Sequence, residues 1–100
     1  MAGEAIWAAE ALDDIEAIAA YIARDSLVLT RRVVSAFFEC SDLLLTQPRM
    51  GRMVPERQDE NIREHFVYSY RLIYALAAED IHVLAVMYGR RSLESIGERR

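Results

Sequence analysis

The sequence predicts an α+β fold, with a short N-terminal strand, a two-helix hairpin packed on one face of an antiparallel sheet, and a C-terminal three-stranded meander. Apolar residues recur at three- and four-residue steps through the first half, and three runs rich in Val, Ile, Tyr and Phe follow in the second half with very short gaps. Between the two regimes lies a segment that holds both prolines and a glycine. Helical hairpin first and meander last is the pattern of helices laid on one face of a sheet.

Residues 4 to 8 (Glu4, Ala5, Ile6, Trp7, Ala8) alternate enough for a first strand. From Ala9 the period changes. Leu12, Ile15, Ala19 and Ile22 form one stripe while Glu10, Asp13, Asp14 and Glu16 fall mainly elsewhere, which predicts an amphipathic helix ending near Arg24. Asp25 and Ser26 offer a cap for a second helix from Val28 to Thr46, with Val33, Phe37, Cys40 and Leu44 as its buried stripe. Gln47 and Pro48 end it, and Pro48 to Asn61 reads as a long connection without regular structure. Strands are expected at Ile62 to Val67, Tyr70 to Ala77 and Ile81 to Tyr88. The gap Tyr68-Ser69 lacks the Asn or Gly that tight hairpins prefer. One domain is expected over residues 1–100, with 92–100 as a polar tail.

With both helices on one face, the other face is expected to remain partly open. Tyr70, Arg71, Tyr74, Tyr88 and Arg90 sit in strands or at their ends, where alternate residues reach it. A hydrophobic share of 53% in so short a chain also points to apolar surface that a partner covers.

Charge narrows the function. Net charge is -4, and residues 1–50 carry eight acids against Arg24, Arg31, Arg32 and Arg49. Proteins that live on nucleic acid neutralise phosphates with a basic surplus, so free nucleic acid is not an expected partner. The lone Cys40 rules out an internal disulfide, and no Cys or His spacing suggests a metal site, so neither metal nor cofactor is expected. His65 and His82 have no Asp or Cys placed beside them and read as strand residues. No signal-peptide pattern or membrane-length apolar run is present, so a cytoplasmic location is expected.

Several strings, in order, resemble the ParE/RelE superfamily of toxin-antitoxin toxins. They are Ile6-Trp7, Tyr21-Ile22-Ala23-Arg24-Asp25-Ser26, Pro48-Arg49-Met50-Gly51-Arg52-Met53-Val54-Pro55-Glu56, Ile62-Arg63-Glu64, Tyr70-Arg71-Leu72-Ile73-Tyr74 and Val86-Met87-Tyr88-Gly89-Arg90-Arg91. The Gly-Arg-x-Val-Pro-Glu string and the closing Gly-Arg-Arg are more similar to the ParE branch. That resemblance implies a toxin that poisons DNA gyrase by binding, with no catalytic residue of its own, neutralised by a ParD-like antitoxin in a hetero-oligomer. Target contacts are then expected at Arg90, Arg91, Arg71 and Tyr88, and antitoxin contacts at Tyr21, Phe38 and Tyr74.

The RelE branch implies the alternative, a ribosome-dependent mRNA endoribonuclease using Arg71 and Glu56. Cleavage through the RNA's 2'-hydroxyl needs a base, an acid and cationic donors for the phosphorane. Where some relatives carry a His-Tyr pair at the end of the last strand, this chain has Gly89-Arg90. A third reading is a non-toxic homologue that only binds antitoxin.

Overall fold

The structure, a computed structural model, describes residues 3–91. The chain runs β1 (Ala5–Trp7), α1 (Ala9–Ala23), α2 (Leu27–Thr46), β2 (Arg52–Met53), β3 (Ile62–Val67), β4 (Tyr70–Ala77) and β5 (Asp80–Tyr88). The expected polar tail, 92–100, lies outside the described residues.

The helices form where the apolar period places them. Ser26 caps α2, its Oγ accepting from the Leu29 N–H at 3.0 Å. Val33, Phe37, Cys40 and Leu44 are buried as expected, and Ser41 joins them. In α1 the buried stripe is Ala11, Ile15 and Ile22 with Ile18 packed beside them, so Leu12, expected inside, is exposed. The small Ala11 lets the helix lie close to the sheet, and Leu12 points one residue step, about 100°, around the axis.

The sheet has the order β1-β5-β4-β3-β2 and differs from expectation in two respects. It is mixed, because β1 pairs with β5 in parallel, Ala5 opposite Ile81 and Trp7 opposite Val83. It also has a fifth strand inside the expected irregular connection, where Arg52 and Met53 lie antiparallel to Glu64 and Arg63. Two residues between Gly51 and Val54 leave no periodicity to detect. The meander holds its expected bounds within one residue, and β3–β4 is joined by a two-residue turn with Val67 opposite Tyr70. Tyr68 turns the corner with φ 55°, and Ala78 does the same in the next hairpin with φ 56°. Left-handed backbone costs a side-chain-bearing residue on the order of 1 kcal/mol, which tertiary pairing offsets here.

Leu72, Tyr74, Ile81, Val83 and Val86 face the helices and build the main core with Phe37, Ile15 and Leu44. A register shift between Ile73 and Tyr74 pairs them with Ala85 and Val83, so Leu84 is the extra residue of a bulge. The far face is open only at one end, where Phe66 is 48% exposed. Val54 folds back onto it and closes a second core with Ile62, Ile73, Ala75, Leu84, Ala85 and Met87.

Burial leaves a pH signature. The Cys40 thiol is pushed up from 9.0 to about 11, and burial likewise raises Tyr70 and Tyr74 above 10.0. The folded chain therefore keeps protons that the unfolded chain releases, so this stabilisation is complete below pH 9 and drains away as pH climbs towards 11 and beyond. Melting temperature is expected to fall across that window, and Cys40→Ala to flatten the first part of the fall.

Candidate functional site

Two hollows meet at the C-terminal end of β5. The first is a groove of about 480 Å³ between α1, which contributes Asp14, Ile18 and Tyr21, and the sheet, which contributes Tyr70, Val86 and Tyr88. Its walls are aromatic for a reason that begins in the core. Phe37 meets Tyr70 edge-on at 5.7 Å, and Tyr70 meets Tyr88 edge-on at 6.1 Å, so a file of rings leads from the interior to the surface. Tyr21 is 66% exposed at the rim, with the Arg24 guanidinium 5.8 Å from its ring. Below the rim, Asp14 Oδ2 accepts the Val86 N–H at 2.9 Å, satisfying a donor on the β5 edge beyond the reach of β1.

The second hollow, about 280 Å³, is lined by Arg52, Glu56, Phe66, Arg71, Arg90 and Arg91, among others. At its floor Arg71 is 4% exposed. Its Nε donates to Glu64 Oε1 at 2.6 Å, and its Nη1 and Nη2 grip Glu56 as a fork at 3.0 and 2.8 Å. Nη1 also donates to the carbonyl of Arg91 at 2.8 Å. Glu64, 1% exposed, takes a second cation on its other oxygen, Arg52 Nε at 2.5 Å. Two arginines thus balance two glutamates, and among the described residues no buried side-chain N or O lacks a partner. The carboxylates, Glu56 foremost, hold the Arg71 guanidinium above its ordinary pKa against the opposing pull of burial.

The expected site residues are only partly brought together. Arg90, Arg91, Tyr88 and Arg71 converge at the end of β5, with Arg71 beneath the surface and Arg90, Arg91 and Tyr88 exposed on it. Tyr21 lines the groove. Phe38 lies elsewhere, its ring 4.8 Å from that of Trp7, whose indole N–H reaches Ser41 Oγ at 3.3 Å. Tyr74 corrects the expectation outright. It has no exposed surface, and its hydroxyl donates to the Pro48 carbonyl at 2.8 Å and accepts the Gly51 N–H at 3.0 Å, so it clamps the loop before β2 instead of lining a groove. A Cβ on Gly51 would stand 2.6 Å from that hydroxyl, which is why the position is glycine.

Sequence reasoning missed Glu64, Arg52 and Phe66. For Glu64 a signal existed. A two-residue turn at Tyr68-Ser69 sets Phe66 opposite Arg71 and Glu64 opposite Ile73, which puts Glu64 on the face of Arg71 one diagonal step away.

With this geometry in view, the comparisons with known proteins are specific. The family described as "ParE toxin of type II toxin-antitoxin system, parDE" matches residues 5–93. This chain belongs to the ParE toxin family. Its fold is similar to a solved chain titled "Chromosomal ParDE TA system from P. aeruginosa", with a TM-score of 0.69 over 88% of this chain and 96% of that one, at 16% identity. No curated protein sequence matches it. Among the described residues of this ParE-family chain there is no cluster of His, Cys, Asp and Glu suited to a metal ion, and no helix long and apolar enough to cross a membrane.

Proposed function

We propose that this ParE-family chain poisons DNA gyrase by binding, as a one-domain cytoplasmic toxin that a ParD-type antitoxin neutralises. The observation that carries the binding reading over an enzymatic one is the state of Arg71. A ribonuclease would need that guanidinium facing a phosphorane, and here it makes four hydrogen bonds inside the protein, two of them to Glu56, the residue the enzymatic reading would use as an acid. What faces solvent at that end is Arg90, Arg91 and Tyr88, groups suited to gripping a protein surface.

Purified protein added to gyrase and relaxed plasmid is expected to block supercoiling and accumulate cleaved DNA complexes. Codon-positioned mRNA cuts in a translating extract, with gyrase unaffected, would instead support the endoribonuclease.

The α1–β5 groove suits the C-terminal segment of an antitoxin that folds as it binds, because it is lined by aromatic rings and floored by a satisfied strand edge. Tyr21→Ala is expected to weaken that complex by roughly 1–2 kcal/mol, as truncation of an exposed aromatic anchor does. Phe38→Ala should cost less, since Trp7 already covers part of its ring. Calorimetry with each variant measures both, and unchanged affinity for Tyr21→Ala removes the groove assignment.

A further inference from the structure

We infer that Arg71 is a positioning residue for the target-binding end of the chain, its buried guanidinium fixing the turn after β5 from which Arg90 and Arg91 project. The functional half of this inference rests on the gyrase reading above, and the structural half stands without it.

Five segments converge on this one side chain. Arg71 stands on β4, holds Glu64 of β3 and through it Arg52 of β2, grips Glu56 of the connection after β2, and ends on the backbone carbonyl of Arg91. The last bond matters most. Beyond Tyr88 the ladder of β5 has ended, and the turn is also held by the Gly89 N–H to the Ser69 carbonyl at 2.8 Å and the Arg91 N–H to the Tyr88 carbonyl at 3.0 Å. Gly89 is packed so closely that a Cβ would stand 2.8 Å from the Phe66 ring. The turn is therefore pinned from the hairpin side by Ser69 and Phe66 and from beneath by Arg71. With its carbonyl tethered, the Arg91 backbone cannot turn without breaking the bond, which fixes the main-chain positions from which the two arginine side chains leave the turn.

Stability alone is a weak reason for such a cluster, because well-packed apolar residues commonly replace a buried ion pair at no cost. Positioning explains the choice of residue. Only a planar fork can hold one carboxylate with two parallel bonds, a second from its Nε and a carbonyl besides, whereas a lysine ammonium meets such partners from a single point.

The test uses the full chain with Arg71→Lys, which keeps the charge, and Glu56→Gln, which leaves Glu64 on Arg71. Near-ultraviolet circular dichroism of Trp7 and the tyrosines reports whether each variant keeps its packed fold. In folded variants, amide exchange at Gly89 and Arg91 is expected to speed up at least tenfold for Arg71→Lys and by less for Glu56→Gln, while amides of α2 keep their protection. Gyrase inhibition is expected to drop at least tenfold for Arg71→Lys, with partial loss for Glu56→Gln. Unchanged exchange at Gly89 and Arg91 in both variants overturns the positioning role. Faster exchange with full gyrase inhibition overturns its link to the target. If Arg71→Lys unfolds, Glu56→Gln decides by the same two readouts. Should the unaltered protein leave gyrase untouched, the gyrase reading fails, and the exchange data still decide what Arg71 does.

Discussion

Replacing Arg71 by methionine is expected to lower the unfolding free energy by about 3 kcal/mol, the low end of the roughly 3–5 kcal/mol seen when one partner of a buried ion pair is removed. The cost arises less from the lost bonds than from what remains. Glu64 has no exposed side-chain surface, and without Arg71 its charge stays in the sheet with, among the described residues, only Arg52, itself 66% exposed, paired to it. That residual pair places the effect at the low end. Removing both charges with Arg71→Met and Glu64→Leu should recover most of the loss, because no uncompensated ion is then left in the sheet. Urea unfolding measures both proteins. A double variant as weak as the single one would show that packing around the cluster, and not its charge, carries the cost.

Tyr74→Ala is expected to cost about 3–5 kcal/mol, the range for emptying a buried aromatic site. The ring is enclosed in the main core, and the hydroxyl ties the loop at Pro48 and Gly51 to β4. Tyr74→Phe separates the two contributions. It keeps the ring and strands the Gly51 N–H, so a loss of about 1–3 kcal/mol is expected, the cost of an unsatisfied buried polar group. Any weakening of antitoxin binding by Tyr74→Ala should therefore track its loss of folded protein and disappear for Tyr74→Phe at low temperature. A full-strength binding defect in folded Tyr74→Phe would restore Tyr74 to the interface.

The contrast between Tyr74 and Tyr21 shows what could be read from residues alone. Periodicity located both helices and all three meander strands, because apolar stripes such as Val33, Phe37, Cys40 and Leu44 announce which face is buried. It could not say whether a strand tyrosine faces the helices or the far side, since both faces of this sheet are covered and β4 is apolar on each. β2 escaped notice because two exposed residues carry no pattern. The hairpin turns escaped because Tyr68 and Ala78 adopt a left-handed backbone that their side chains do not advertise. The family resemblance named Arg71 and Glu56 only as the catalytic groups of the alternative, enzymatic reading, and the structure joins them in a forked ion pair. An arginine between Tyr70 and Leu72 could as well contact a target as pair with a cross-strand acid, and only the register, by bringing Glu64 beside it, makes Arg71 a buried brace.

The proposed toxicity requires this ParE-family chain to grip its target through the exposed end of β5. Its most direct measurement is the yield of cleaved plasmid trapped by gyrase, compared between the unaltered protein and Arg90→Ala/Arg91→Ala, with circular dichroism confirming that both are folded. The unaltered protein should trap cleaved complexes and the double variant should lose that effect by tenfold or more. Equal trapping by both proteins would contradict the placement of the contact at the end of β5, and no trapping by either would contradict the target itself.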